Sequence, residues 1–197
     1  MIMRWQRRCM PVIGEQDEAE LLILGRGTGT YAMQCSRYYP NMTAEGVVIG
    51  EMPLGIMVEI PSIAMIADLA AAEVDFASIG TNDLTQYLCA ADRLNADVSA
   101  FYQPLSPAML RTLKRVIDAF RSAGKPVSVC GEMGGDVRAA LLLVGLGLRK
   151  LSMSGSSIAE IKAMLAQHTI GEMEAAAERA LACRTEAEVI ALVDSLL

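Results

Sequence analysis

Short apolar runs alternate with stretches of helical spacing along the chain from residue 55 onward. Four runs, at residues 55–59, 74–79, 127–129 and 150–154, have the length of β-strands. The stretches between them repeat apolar residues every three or four positions, as amphipathic helices do. Strands that alternate with helices form parallel sheets with the helices packed outside, so the pattern predicts an α/β fold.

Helix start and stop signals place two of the helices. Pro61 suits the first turn of a helix whose apolar positions continue to Ala70. Ser106 and Pro107 have the residue types of a helix cap and first helical residue, and Gly124 follows where that longer helix ends. The spacing therefore predicts one helix after each of these starts.

The last third of the chain is predicted to be mainly helical. Asp136 can cap a helix that stops at Gly145 or Gly147. Three pairs of the S/T-x-x-E form follow, which is the pattern of a capping box: Ser157 with Glu160, Thr169 with Glu172, and Thr185 with Glu188. We expect three helices in succession after the fourth predicted strand.

The number of strands limits the fold that this chain can form. A (β/α)8 TIM barrel needs eight strands and typically about 250 residues, whereas these 197 residues offer four strands and a weaker fifth at 9–13. We therefore predict a TIM-barrel type of fold of which only the C-terminal half to two-thirds is present. This partial barrel domain would span residues 44–197, and residues 1–43, whose periodicity is weak, would form an irregular segment.

Composition narrows the class of partner. With a formal charge of −6, the chain lacks the excess of basic residues typical of nucleic-acid binders. No apolar run reaches the roughly 18 residues of a membrane span, and the first residues lack the apolar centre of a signal peptide. We therefore expect a cytoplasmic protein with no nucleic-acid or membrane partner. Five cysteines, an odd number without close spacing, favour reduced thiols.

Two acidic residues follow neighbouring predicted strands. Glu59 ends the first run, and Asp83 follows the second, after Gly80, where we predict that a loop begins. The carboxyl ends of adjacent parallel strands open on one pocket, and two hard oxygen donors suit a Mg²⁺ ion shared with a phosphorylated substrate. Cys130 ends the third run and would add a thiol to the same rim. The residues alone also allow loop-forming acids and a small core cysteine.

Several motifs make the chain similar to one known family over residues 44–197. The matching segments are Met57-Val58-Glu59-Ile60-Pro61, Gly80-Thr81-Asn82-Asp83-Leu84-Thr85-Gln86-Tyr87, Ala91-Asp92-Arg93, Tyr102-Gln103-Pro104, Cys130-Gly131-Glu132 and Ser152-Met153-Ser154. They resemble the C-terminal, phosphoenolpyruvate-binding domain of enzyme I, the phosphoenolpyruvate-protein phosphotransferase of the bacterial sugar phosphotransferase system. Other PEP-utilising enzymes share the Asn-Asp and Cys-Gly-Glu elements.

This resemblance implies a role for each candidate residue. Glu59 and Asp83 would bind Mg²⁺. Asn82 and Arg93 would contact the phosphate of the substrate, and Cys130 would protonate the enolate that remains. The chemistry agrees, because a guanidinium can hold phosphoryl oxygens, a divalent ion stabilises enolate charge, and a thiol is largely protonated at pH 7.

The resemblance also implies partners. Phosphoenolpyruvate would give its phosphoryl group to a protein histidine and leave as pyruvate, and a phosphocarrier protein of the phosphotransferase system would receive the group. In the family the accepting histidine lies in an N-terminal region that these 197 residues do not include. A homodimer is expected, since the family domain is implied to be the dimerising part.

Alternatives remain open from the residues themselves. Arg93 could form a surface ion pair with Asp92 or Asp97 instead of binding phosphate. The chain could be a truncated, non-catalytic half-barrel that acts as a dimerisation module. Another barrel enzyme acting on phosphoenolpyruvate or pyruvate, such as an aldolase or lyase, would also use acids at strand ends but would not need Cys130.

Overall fold

The computed structural model describes residues 43–44, 47–48, 53 and 55–197. The predicted irregular segment at 1–43, apart from Thr43, and the suggested strand at 9–13 lie outside the described residues. Strands β1, Thr43–Ala44, and β2, Val47–Val48, form an antiparallel pair. All other elements lie in the continuous part of the description.

A three-stranded parallel sheet organises residues 55–197. Its strands are β3, Gly55–Val58, β4, Phe76–Gly80, and β5, Val127–Cys130, and they lie in chain order. Eight helices are described in this region: α1, Pro61–Met65; α2, Ala67–Glu73; α3, Thr81–Cys89; α4, Pro107–Ser122; α5, Val137–Gly145; α6, Ile158–Leu165; α7, Ile170–Ala182; and α8, Glu186–Asp194. Short 3-10 helices cover Ala96–Phe101 and Glu132–Gly135. The predicted α/β class is therefore confirmed as a mixed α/β fold with a small parallel sheet.

The fourth predicted strand, at 150–154, is wrong as a full strand. Leu151 forms only an isolated parallel bridge to Val129, supported by the N–H of Ser152, which donates to the Val129 carbonyl at 3.0 Å. Beyond it the hydroxyl of Ser154 bonds those of Ser156 and Ser157, in a turn that leads into α6. The chain leaves the sheet after one residue of pairing. Closure into a TIM barrel stays a prediction.

The two faces of the sheet differ in burial. Val58, Ile79 and Val129, which lie side by side on β3, β4 and β5, are completely buried. They face the helices, since α4 packs on β5 and on both α1 and α2. Residues of the opposite face, such as Ser78 and Ser128, are only half-buried. Because side chains alternate along a strand, each strand gives one face to the core and the other to a less buried surface.

The helix predicted to run from Pro61 to Ala70 is interrupted. Ile66 has non-helical backbone angles, φ −110° and ψ 31°, and separates α1 from α2. The Arg115 guanidinium on α4 donates from Nε and Nη2 to the Met65 carbonyl, at 3.1 and 2.6 Å. This carbonyl would accept a helical N–H in an unbroken helix, so a residue 50 positions away satisfies the acceptor at the break.

Local start and stop signals were right for α4 and α5. The Ser106 hydroxyl accepts from the Met109 N–H, and Gly124 has the positive φ, 68°, of a residue that follows a helix end. Asp136 caps α5 by accepting from the Ala139 N–H, and α5 ends at Gly145. Both helices therefore confirm the predicted boundaries.

The three tail helices are confirmed, but the capping boxes differ. Thr169 and Glu172 form the complete reciprocal pair at the start of α7. Thr185 caps α8 through the Glu188 N–H, while the Glu188 carboxylate accepts from the Arg184 N–H instead. The side chain of Ser157 makes no capping bond. No helix in the described ranges is both long enough and apolar enough to cross a membrane.

Helix α7 lies directly against α5. A Cβ on Gly145 would collide with the Met173 carbonyl and would stand 2.9 Å from the Ala177 Cβ. Met173, Ala176, Ala177 and Ala180 of α7 are buried in the same core as the face of the sheet that the helices cover. Small residues at the contact allow the two backbones to approach closely, so the tail is part of the hydrophobic core.

Candidate functional site at the carboxyl ends of the strands

Glu59 lies beside Gly80 at the carboxyl ends of β3 and β4. The register pairs Val58 with Ile79, so the next residue on each strand comes side by side as well. A Cβ on Gly80 would stand 3.0 Å from the Glu59 Cβ and 3.1 Å from its Oε2. The Glu59 carboxylate therefore extends over a position where the neighbouring strand has no side chain.

Cys130 lies on the other side of Gly80. The register pairs the two residues directly. The Cys130 Sγ is 3.3 Å from the Met57 Sδ and 3.5 Å from the Ile79 carbonyl oxygen. The same Met57 Sδ would be 3.3 Å from a Cβ on Gly80. The thiol and the Glu59 carboxylate thus share the half-buried face and the carboxyl end of the sheet.

Asp83 and Asn82 lie in the first turn of a helix, where we had predicted a loop. Helix α3 begins at Thr81, immediately after β4. An acidic residue in the first turn is favoured by the partial positive charge of the helix N-terminus. The abrupt strand-to-helix change holds Asp83 close to the end of β4, the strand next to β3, which Glu59 follows. The structure therefore brings both predicted metal ligands to one end of the sheet.

Arg93 reaches Asp83 and not the two acids considered from the sequence. Its Nη2 lies 4.0 Å from the Asp83 Oδ1, and both side chains are a little more than one-third exposed. The Arg93 N–H donates to the Gln86 Oε1 at 3.2 Å, which anchors the loop after α3. The Asp92 carboxylate accepts from the Leu94 N–H. A partly exposed guanidinium is thus placed next to a candidate metal ligand.

Asn82 connects this rim to an adjoining cleft. Its Oδ1 accepts from the Glu132 N–H at 3.0 Å. The cleft has a volume of about 450 Å³, and its lining comprises Asn82, Gly131, Glu132, Gly135, Ser152, Met153, Ser154 and Ser157. Of the five predicted site residues, Asn82 alone is in this lining. Glu59, Asp83, Arg93 and Cys130 lie outside it.

Tyr102 is a site residue that sequence reasoning missed. Its phenol donates to the Asn82 carbonyl oxygen at 3.3 Å. Burial raises the pKa of Tyr102, against smaller opposing effects of the Thr85 hydroxyl and the Arg93 charge. The phenol therefore stays a donor at neutral pH. Its segment was noted in the family resemblance, yet nothing in the sequence indicated which element it contacts.

The donor set at the rim fits a magnesium ion. Glu59 and Asp83 offer hard carboxylate oxygens at the ends of adjacent strands. Proteins commonly hold Mg²⁺ with one or two carboxylates, the remaining positions being filled by water and substrate phosphate. No group of three His, Cys, Asp or Glu residues suited to a metal occurs in the described part of the chain.

Comparison with known proteins gives a consistent picture. The family model described as PEP-utilising enzyme, PEP-binding domain, matches residues 33–170. Proteins named phosphoenolpyruvate-protein phosphotransferase are similar: that of Staphylococcus carnosus is 50% identical over 155 residues, 78% of this chain and 27% of that protein. Those of Lactococcus lactis subsp. cremoris and Streptococcus equinus are 48% and 49% identical over 156 and 154 residues, 78% and 77% of this chain and 27% of each relative. The matched region spans about a quarter of the length of these curated relatives.

Proposed function

Because this chain belongs to the PEP-utilising enzyme family through its PEP-binding domain, we propose that it binds phosphoenolpyruvate together with Mg²⁺. Its role would be that of an enzyme I type domain, which passes the phosphoryl group towards a protein histidine and releases pyruvate. The observation that carries the proposal is the placement of Glu59 and Cys130 on the two sides of Gly80. A charge-binding group and a proton donor then face one substrate.

Glu59 and Asp83 are the proposed holders of Mg²⁺. When bound, the ion supplies positive charge that stabilises the carboxylate and enol oxygens of the substrate. The two side chains come from different elements, the end of β3 and the first turn of α3. This arrangement supports the proposal, because the two elements bring both carboxylates to the same end of the sheet.

Asn82 and Arg93 are the proposed contacts to the phosphoryl group. The Asn82 Oδ1 is occupied by the Glu132 N–H, so its amide nitrogen is the part left to donate to a phosphoryl oxygen. Arg93 presents a planar set of N–H donors, which suits phosphoryl oxygens in two-point contacts. Its 4.0 Å approach to Asp83 supports a position near the same ligand.

Cys130 is the proposed acid. When the bond between phosphorus and the enol oxygen breaks, the electron pair stays on the enolate of pyruvate. Carbon 3 then needs a proton, which the thiol of Cys130 donates, and the product leaves as pyruvate. The half-buried position of Cys130 beside Met57 and the Ile79 carbonyl supports this role, since it limits access of bulk water to the thiol.

The wider setting is proposed from the relatives. The phosphoryl group would go to a histidine of an N-terminal region of the kind that enzyme I carries, and from there to a phosphocarrier protein of the bacterial sugar phosphotransferase system. The chain would complete a TIM barrel with strands beyond those described and would act as a cytoplasmic homodimer.

Calorimetry tests the binding step. Phosphoenolpyruvate is titrated into the chain with Mg²⁺, and Asp83→Ala is expected to abolish measurable heat or weaken binding at least tenfold, as loss of a charged ligand does. Asp68→Ala is the matched control, because Asp68 is also an acid in the first turn of a helix but lies on α2. Binding that is equal in both variants would contradict the proposal.

The same titration separates the alternatives. A non-catalytic dimerisation module would be dimeric by light scattering and would give no heat with phosphoenolpyruvate. An aldolase or lyase would keep turning over a pyruvate-type substrate after Cys130→Ala, whereas the proposed proton transfer would not.

A further inference from the structure

The turn at Gly131 follows β5, which carries the proposed acid Cys130, and contacts α3, which carries the proposed phosphate contact Asn82. Gly131 has φ +117°, and a Cβ there would stand 2.5 Å from the Thr81 Oγ1 and 2.9 Å from the Asn82 Oδ1. Both the backbone angle and the contacts require a glycine. The turn thus packs its backbone directly on the first two residues of α3.

Hydrogen bonds on both sides of Gly131 fix the contact. The Thr81 hydroxyl donates to the Cys130 carbonyl at 3.1 Å, and the Glu132 N–H donates to the Asn82 Oδ1 at 3.0 Å. The two bonds link consecutive residues of α3 to the residues immediately before and after Gly131. Such a pair resists rotation of either segment, because turning one would break both bonds.

Thr81 is a buried polar residue whose hydroxyl has a specific partner. Its exposed fraction is 0%, and it is one of three buried polar residues in the described ranges, with Thr85 and Ser106. A valine would fill the same space without a polar atom to satisfy. The hydroxyl crosses to a strand 49 residues away, so it connects elements.

The bond from Glu132 also determines which end of the Asn82 amide faces a ligand. An N–H donor must meet the oxygen of the amide, so the Nδ2 is turned away from Glu132. A phosphoryl oxygen accepts hydrogen bonds and needs that nitrogen. If the turn at Gly131 moved, the amide could rotate and present its oxygen, which would repel an anion.

We propose that Thr81 and Gly131 are positioning residues that set the Asn82 amide and the Cys130 thiol in one fixed arrangement. The inference rests on the proposed function of Asn82 and Cys130. It adds that phosphate recognition and protonation are adjusted together, through the bond from the Thr81 hydroxyl to the Cys130 carbonyl, and are not independent features of α3 and β5.

Three variants test the binding half of the proposal by calorimetry with phosphoenolpyruvate and Mg²⁺. Thr81→Val is expected to weaken binding by about tenfold, the effect of one lost hydrogen bond. Thr81→Ser keeps the hydroxyl and should restore most of the affinity. Ser106→Ala removes another buried hydroxyl, at the start of α4, and should leave affinity unchanged. Equal affinity in Thr81→Val and the unchanged chain would overturn the proposal.

Thiol alkylation tests the Cys130 half without phosphoenolpyruvate. Iodoacetamide modification is followed by mass spectrometry at each cysteine, with the half-buried Cys89 and Cys183 as internal references. Thr81→Val and Gly131→Ala should raise the rate at Cys130 severalfold relative to both references. A uniform rise at all three, or none, would overturn the proposal. Thr81→Ala, which adds no bulk, replaces the valine variant if valine prevents folding.

Calorimetry and thiol alkylation distinguish a failure of the proposed function from a failure of the positioning role. If the unchanged chain does not bind phosphoenolpyruvate, the proposed function fails. The positioning role is then decided by whether the Cys130 rate changes selectively.

Discussion

The two faces of the parallel sheet differ in the substitutions that their residues can tolerate. On the helix-covered face, Val58, Ile79 and Val129 are fully buried and contribute mainly apolar area. On the other face, small or polar residues such as Gly80 and Cys130 make close contacts with individual atoms of their neighbours. Stability depends on the side-chain volume buried on the first face, and ligand binding depends on the exact position of the side chains on the second. Stability and ligand binding should therefore respond separately to substitutions only one residue apart.

The largest expected effect is on the helix-covered face. Ile79→Ala should lower the free energy of unfolding by about 2–5 kcal/mol, because it removes buried apolar atoms and leaves a cavity. Its neighbour Ser78 lies on the half-buried face, and Ser78→Ala should change stability by no more than about 0.5 kcal/mol. Urea unfolding measures both. Similar losses in the two variants would break the comparison.

In contrast to Ile79→Ala, Gly80→Ala should change ligand binding more than stability. The added Cβ would press on the Glu59 Cβ and Oε2 at 3.0 and 3.1 Å. We expect binding of phosphoenolpyruvate with Mg²⁺ to weaken by about tenfold, since catalytic groups must be held to within about 0.5 Å.

Gly171→Ala is the matched control for Gly80→Ala. A Cβ on Gly171, in α7, would have nothing within 4 Å. This change should raise stability by about 0.4–1 kcal/mol through the unfolded chain and leave binding unaltered. Weaker binding in Gly171→Ala would indicate that the effect at Gly80 is not local.

Tyr102→Phe should have a smaller effect on both properties. The change removes the hydroxyl that donates to the Asn82 carbonyl, at a cost of about 1 kcal/mol in stability. Binding should weaken by a few fold, because Asn82 loses one of its supports. Tyr87, which is 53% exposed, provides the control variant Tyr87→Phe. Calorimetry and urea unfolding compare the two tyrosines, and equal effects would remove Tyr102 from the site.

The smallest expected effect is the response of the tail to acid. The Thr169 N–H and hydroxyl hold the pKa of Glu172 below its usual 4.5, and the bond from Arg138 lowers the pKa of Asp194 from 3.8. Stability from these carboxylates is present above the usual values and is lost as the pH falls through the lowered ones. Glu172→Gln should therefore flatten the fall in urea midpoint between about pH 5 and about pH 3. Glu178→Gln, exposed on the same helix, should not.

Features encoded by neighbouring residues could be predicted from the sequence. The start of α4 at Ser106 and Pro107 and the capping pair of Thr169 with Glu172 depend on contacts within a few positions. The adjacency of the strands that precede Glu59 and Asp83 could also be predicted, because strand–helix–strand units give parallel neighbours. The metal role of these acids and the barrel remain predictions.

Features that depend on distant residues could not be predicted. The break at Ile66 is accompanied by a bond from Arg115, and the role of Tyr102 depends on a loop that returns to α3. The fourth strand was overestimated since apolar residues give strand propensity but do not show how many backbone groups find a partner. In each case the deciding contact lies 20 or more positions away.

The close approach of α7 to α5 at Gly145 has a practical consequence for anyone who shortens this protein. The family match stops at residue 170, where α7 begins. A protein cut there would keep every proposed ligand contact and still expose the surface of α5 around Gly145 to water, because Met173 and Ala177 of α7 pack against it. The matched segment and the unit able to fold have different ends, and the last 27 residues belong to the second.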